Sequence, residues 1–337
     1  MKSHLCLRLL VAMLVDMRTI PLPAVAATVT VVLWASAFVV IRDLGPVFSP
    51  GAMAFLRLLF GVIALTVILV ITRVRMAGRT PAPSWPRGRA LGLVIAYGVA
   101  WFGGYSVLLN WAEQHLDAGT AALLVNVAPI IVAVYAGFFL GEGFTRSLVV
   151  GIVVAFSGVV LITVGGDSAH ADWLGLMLGL MTAVLYAAGV LLQKVALREV
   201  DAVMATWLGA VAGLVATLPF APAAVRELGA ASAGELVAIV FLGVGPTAIA
   251  FTTWAYALSR TDAGAMAATT LVVPAIVIGM SWLFLGELPS ALRIVGGVLC
   301  LAGVAIGRGL LRWPPRRTDR FVGISDDEGV PSSSGTG

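Results

Sequence analysis

The chain has 337 residues, 60% of them hydrophobic and only 11% charged, with a formal charge of +4. Soluble proteins carry about a quarter charged residues, so charge this sparse cannot cover a water-facing surface and the membrane class is favoured. So small a net charge says little of nucleic acid, and Cys6 and Cys300 fit no metal, redox or disulfide pattern.

Residues 1–21 read as an N-terminal cytoplasmic segment. Leu9 to Val15 is apolar but too short to span, Asp16 and Arg18 follow at once, and no small-residue cleavage site marks a signal peptide. Met13 and Met17 are further candidate starts. A bilayer core about 30 Å thick needs some twenty apolar residues of helix. Ten segments meet that test, at about 22–41, 50–72, 90–112, 118–140, 146–165, 173–194, 202–220, 232–257, 263–285 and 290–311. The breaks carry turn chemistry, as at Gly45-Pro46, Pro81-Ala82-Pro83, Gly165-Gly166-Asp167, Pro219 with Pro222, and Leu288-Pro289. From 312 to 337 the chain turns polar, and a disordered cytoplasmic tail is expected. Of the 21 Lys and Arg, seventeen fall on the side of the two termini, three on the other, and Arg57 within a span. That bias places both termini in the cytoplasm.

The chain also repeats itself. Asp117-Ala118-Gly119, Pro129, Leu140-Gly141-Glu142, Gly151 and Gly158 return as Asp262-Ala263-Gly264, Pro274, Leu285-Gly286-Glu287, Gly296 and Gly303, each 145 positions later. Ten spans split by a repeat give two five-helix halves, 22–166 and 173–311. Five is odd, so the halves enter the bilayer from opposite sides. The expected fold is therefore an all-α integral membrane protein of ten transmembrane helices in two inverted repeats, which is the signature of secondary transporters.

The first span carries Leu33-Trp34-Ala35-Ser36-Ala37-Phe38 and the second Phe55-Leu56-Arg57-Leu58-Leu59. With these and the duplicated Asp-Ala-Gly, Pro, Leu-Gly-Glu and Gly blocks, the chain resembles the drug/metabolite transporter superfamily, EamA type, over about residues 22–310. The resemblance implies a ten-helix exporter or importer of small metabolites. It also implies a central cavity lined by the first, third and fourth spans of each half. Four-helix relatives that export cationic drugs carry a Glu in their first span, whereas here no acid lies between Pro21 and Ile41. A sugar-phosphate carrier would need basic cavity residues, and Arg57 is the clear intramembrane candidate, with Lys194 near a helix end.

Polar residues deep in a span face a cavity or a partner helix. Arg57 sits seven residues after Pro50, roughly 10 Å below the outer edge. It could grip a substrate carboxylate bidentately, or snorkel outward. Asn126 lies three residues before Pro129, whose ring frees a backbone carbonyl near Val125. Pro129 and Pro274 predict matching kinks, although Asn126 is replaced by Leu271 in the second half. Tyr97, Trp101 and Tyr105 recur every four residues and share a face of a regular helix. With Trp34, Tyr186 and Trp254 they are candidates to line the cavity, or else helix packing. Trp111 and Tyr256 read as interfacial belt residues. Glu142 and Glu287 each follow a glycine at a helix junction, where an acid in the first turn of the next helix suits its dipole.

No phosphate-cradling loop is present, so ATP coupling is not expected, nor is any cofactor or metal. His4, His115 and His170 lie at or outside span ends, and no acid–histidine cluster at depth supports an enzyme. The reading is a secondary carrier of an amino acid, related metabolite or drug-like compound by alternating access, in the direction of efflux, with a passive pore as the alternative. Its partners are a small-molecule substrate and the lipid bilayer, and no nucleic acid. Coupling to protons or a counter-substrate, and the oligomeric state, stay open.

Overall fold

The computed structural model describes residues 22–77, 85–115, 124–164, 173–285 and 290–307, and every regular element among them is a helix. In chain order they are α1 Leu22–Leu44, α2 Pro50–Met76, α3 Gly88–His115, α4 Ala128–Phe139, α5 Arg146–Val164 and α6 Trp173–Ala196. They continue with α7 Ala202–Ala216, α8 Ala221–Ala230, α9 Ala233–Leu258, α10 Ala263–Ala268, α11 Val273–Leu285 and α12 Ala291–Gly307. Five of them, α1, α2, α3, α6 and α9, are long and apolar enough to cross a bilayer. α7 and α8 form a pair bent by 50°. α4, α5, α10 with α11, and α12 are apolar over shorter described lengths. The N-terminal segment, the tail, Glu287 and the Asp117-Ala118-Gly119 block lie outside the described residues.

Local chemistry explains the helix starts. Pro50 opens α2, where its missing N–H costs nothing. The Asp201 carboxylate accepts the Met204 N–H at 3.0 Å and caps α7. Ser232 and Glu235 close a capping box on α9. One stretch departs from the sequence reading. Pro219 and Pro222 predict a turn, yet each sits in the first turn of a helical segment, Leu218–Phe220 and α8. A proline there starts a helix as readily as it ends one.

The outer surface is apolar. Ile63, Val67, Val70 and Val74 of α2 are 54%, 53%, 54% and 70% exposed, and their spacing puts them on one face. Such a stripe would be costly in water and suits lipid.

Small residues let the helices approach closely. A Cβ on Gly151 would collide with Gly303 and Gly307, and one on Gly158 with Gly296 and Cys300. The contacts run in opposite order, so α5 and α12 cross antiparallel. Gly98 packs on Gly209 and Gly103 near Gly213, so α3 and α7 run parallel. The 145-residue spacing reaches this region too. α3 widens into a π-helix over Gly98–Tyr105, and α9 does so over Gly243–Ile249, with both starts 145 positions apart.

Candidate functional site

The site is built where the π segment of α9 packs on α1 and α2 and the π segment of α3 brings Trp101 against Trp34 of α1. Pro246 lies inside the α9 segment and has no N–H to give. The Thr247 hydroxyl instead donates to the Leu242 carbonyl at 2.8 Å. The same oxygen accepts Arg57 Nε at 3.2 Å, which fixes the guanidinium although Arg57 is only 6% exposed. The two terminal nitrogens of Arg57 make no hydrogen bond among the described residues, and Arg57 lines the cavity. The Pro246 carbonyl accepts Trp34 Nε1 at 3.2 Å.

Aromatic rings form the floor. Trp34 lies 5.2 Å from Phe251, 4.9 Å from Trp254 and 6.0 Å from Trp101, centroid to centroid. Trp101 lies 5.2 Å from Tyr186 and 5.0 Å from Phe251. Tyr186 donates from its hydroxyl to Thr270 Oγ1 at 3.2 Å, and Thr270 donates to the Ala267 carbonyl at 2.8 Å. Above this floor is a cavity of about 70 Å³. It runs past Arg57, Tyr105 and Asn126 to Ile41 and Leu109, and Phe251, Thr270 and Val273 complete its wall.

Of the residues singled out from the sequence, Trp34, Arg57, Trp101, Tyr105, Asn126 and Tyr186 meet at this cavity. Tyr97 and Trp254 do not line it. Tyr97 is fully buried and donates to the Ala205 carbonyl of α7 at 2.5 Å. Four residues overshoot a turn of α-helix by about 40° and fall short of the wider π turn, so the direction of the stripe changes where the helix widens. The π segment between Tyr97 and Tyr105 rotates the stripe, so Tyr97 turns to α7 while Trp101 and Tyr105 face inward. Trp254 is fully buried behind Trp34. Pro129 and Pro274 each stand second in a restarted helix, after a turn at Asn126 and Val127 and after a 3₁₀ segment Thr269–Val272, respectively.

Glu142 departs from its expected role. The helix after it starts only at Arg146 and has no acid in its first turn. Its carboxylate reaches instead to the N–H groups of Ala263 and Gly264, so it caps α10 in the second half. Glu287 lies outside the described residues. Lys194 Nζ donates to the carbonyls of Leu258, at 2.9 Å, and Thr261. The sequence reading missed Phe251, Thr247 and Thr270. Glu113 stands one position beyond the third predicted span, which the structure extends to His115.

A bundle of apolar helices around a cavity that holds a buried cation on an aromatic floor is the build of a membrane carrier. Comparison with known proteins agrees. The EamA-like transporter family profile matches twice, over residues 22–164 and 173–307, and the chain belongs to that family. It is 35% identical over 284 residues to the Streptantibioticus cattleyicolor protein named "Probable terminal-alkyne amino-acid exporter", covering 83% of this chain and 91% of that one. It is 30% identical to the Bacillus subtilis "Uncharacterized transporter YdfC", covering 81% and 86%. It is 26% identical to the Salmonella typhimurium "Probable amino-acid metabolite efflux pump", covering 88% and 97%. A solved crystal structure 19% identical to the chain matches with a TM-score of 0.68, over 86% of this chain and 98% of that one, and shares its fold. The protein is thus a multi-pass membrane transporter of small molecules.

Proposed function

We propose that the protein is a secondary carrier that exports an amino acid or a close amino-acid metabolite across the cytoplasmic membrane by alternating access, without ATP. Its ten spans form two inverted halves, and both termini are cytoplasmic. The observation that carries this reading is the shared cavity. Trp34, Arg57 and Trp101 come from the first half, and Tyr186, Phe251 and Thr270 from the second. The names of the relatives from S. cattleyicolor and S. typhimurium supply the substrate class.

Helix directions support the topology. Five long helices, one bent pair and four shorter apolar helices are compatible with ten crossings. Strict alternation requires α3 and α7 to run parallel, and α5 and α12 antiparallel, as they do. It also requires α1 and α9 to run antiparallel. Thr30 meets Thr253 while Trp34 meets Pro246, in the expected order. Under this topology the cavity lies toward the external face. The Glu142 cap and the Lys194 contacts then close the cytoplasmic side, and the inverted halves supply the opposite state.

Two measurements test the proposal. Purified protein in liposomes loaded with unlabelled amino acid should drive saturable uptake of labelled amino acid with no nucleotide present. Strict ATP dependence, or flux that never saturates, would count against a carrier. Reporter fusions at Gly166 and Pro222 should read external and one at Arg79 cytoplasmic. A cytoplasmic reading at Gly166 removes the inversion.

A further inference from the structure

Glu113 has no role in the cavity described so far. It lies on the same face of α3 as Tyr105 and Leu109, one turn beyond Leu109, and both of those line the cavity. It is partly buried, and its Oε1 is shielded from solvent with no hydrogen-bond partner among the described residues. Three residues earlier on α3, Asn110 Nδ2 donates to the Pro50 carbonyl, while Asn110 Oδ1 is also shielded and unpartnered. The Glu113 carboxylate lies within electrostatic reach of Arg57 and of the exposed Arg42, yet it is ion-paired with neither.

Two ionisable groups of opposite sign, Arg57 in the cavity wall and Glu113 one turn beyond the wall residue Leu109, therefore stand near each other without closing into a pair. An uncompensated buried charge is strongly unfavourable, so each needs a partner. The free edge of the Arg57 guanidinium is a fork that matches the two oxygens of a carboxylate. An ammonium has three donors and needs several acceptors, which Glu113 Oε1 and Asn110 Oδ1 offer on one stretch of helix. We propose that Arg57 and Glu113 form a two-charge site for a zwitterionic α-amino acid. Arg57 takes the carboxylate, Glu113 takes the ammonium, and the side chain lies on the floor of Trp34, Trp101 and Tyr186. This rests on the amino-acid reading above and adds to it the recognition of the ammonium. A simple carboxylic acid leaves Glu113 unpaired, and a simple amine leaves Arg57 unpaired.

The test is binding to the purified full chain, read by intrinsic tryptophan fluorescence, since Trp34 and Trp101 border the site. The probes are L-leucine, 4-methylpentanoate and 3-methylbutylamine, and in parallel L-phenylalanine, 3-phenylpropanoate and 2-phenylethylamine. In one series or both, the wild type should prefer the amino acid over each single-charge analogue by about tenfold or more. Glu113→Gln should erase the preference over the acid and keep the preference over the amine. Arg57→Gln should do the reverse. Should Arg57→Gln fail to fold, Glu113→Gln and Glu113→Asp decide the matter between them, with Asp restoring part of the preference. If Glu113→Gln keeps the tenfold preference over the acid, the inference is overturned. If the wild type binds acid and amino acid alike, Glu113 has no such role, while export of a carboxylate-bearing metabolite stands. If none of the six compounds binds the wild type, the amino-acid reading itself falls and this inference with it.

Discussion

The Glu142 carboxylate accepts the Ala263 N–H at 2.9 Å, from 121 positions earlier in the chain. Its second oxygen accepts the Gly264 N–H at 3.2 Å, while Asp262, the residue at the N-cap of α10, makes no side-chain cap. One half of the protein thus caps a helix of the other. Glu142→Ala should lower stability by about 1–2 kcal/mol, as expected for a lost charged cap. Thermal unfolding in detergent measures this. In the same variant, a cysteine placed at Ala263 should react faster with a maleimide. An unchanged rate and melting temperature would show that the contact holds nothing.

Thr247 joins Arg57 to the backbone of α9. Thr247→Val keeps the shape but removes the hydroxyl bond to the Leu242 carbonyl and leaves Arg57 Nε without a partner. The expected cost is about 1–3 kcal/mol in stability, with weaker substrate binding because the guanidinium is no longer held. Thr247→Ser retains the hydroxyl and should behave close to wild type in melting and counterflow. Equal loss in both variants would point to the methyl group, not the hydroxyl.

Gly303 lies where α12 crosses α5. A Cβ there would come within 2.6 Å of Ala155 Cβ and within 2.6 Å of the Gly151 carbonyl oxygen. Backbone cannot yield cheaply, so Gly303→Ala should destabilise by about 1–3 kcal/mol. Gly92 has nothing within 4 Å of its would-be Cβ, and Gly92→Ala should leave the melting temperature unchanged or raised. Both are read from one detergent melting series. Comparable losses at the two sites would remove the crossing as the cause.

Tyr97 and Trp101 should separate in function. Tyr97→Phe removes the hydroxyl bonded to the Ala205 carbonyl and should cost about 0.5–1.5 kcal/mol of stability, with substrate affinity unchanged. Trp101→Ala strips a ring that both packs and lines the cavity, so it should lower affinity as well as melting. Fluorescence titration and thermal unfolding on the same preparations decide this. A weaker affinity in Tyr97→Phe would place Tyr97 in the site after all.

Sequence alone determined that this is a helical membrane transporter with a duplicated plan. Twenty-residue apolar runs and a 145-residue repeat are properties of the linear chain, set by bilayer thickness and visible without any contact. It also brought forward Arg57, because an ionised group at depth is expensive wherever the helix turns out to face. Tertiary structure decided which side chains meet. Tyr97 turned to α7 while Trp101 and Tyr105 lined the cavity, and contacts between distant helices placed Phe251 beside Trp34 and Thr270 beside Tyr186. The Glu142 cap reached across to α10, and no local dipole argument could have named a helix 121 positions away. Glu113 shares the helix face of Tyr105 and Leu109 only because α3 extends past Ala112. Periodicity assumes an ideal helix and short-range partners. The site depends on where the helices depart from ideal geometry and on contacts between distant halves, so it became legible only in the folded molecule.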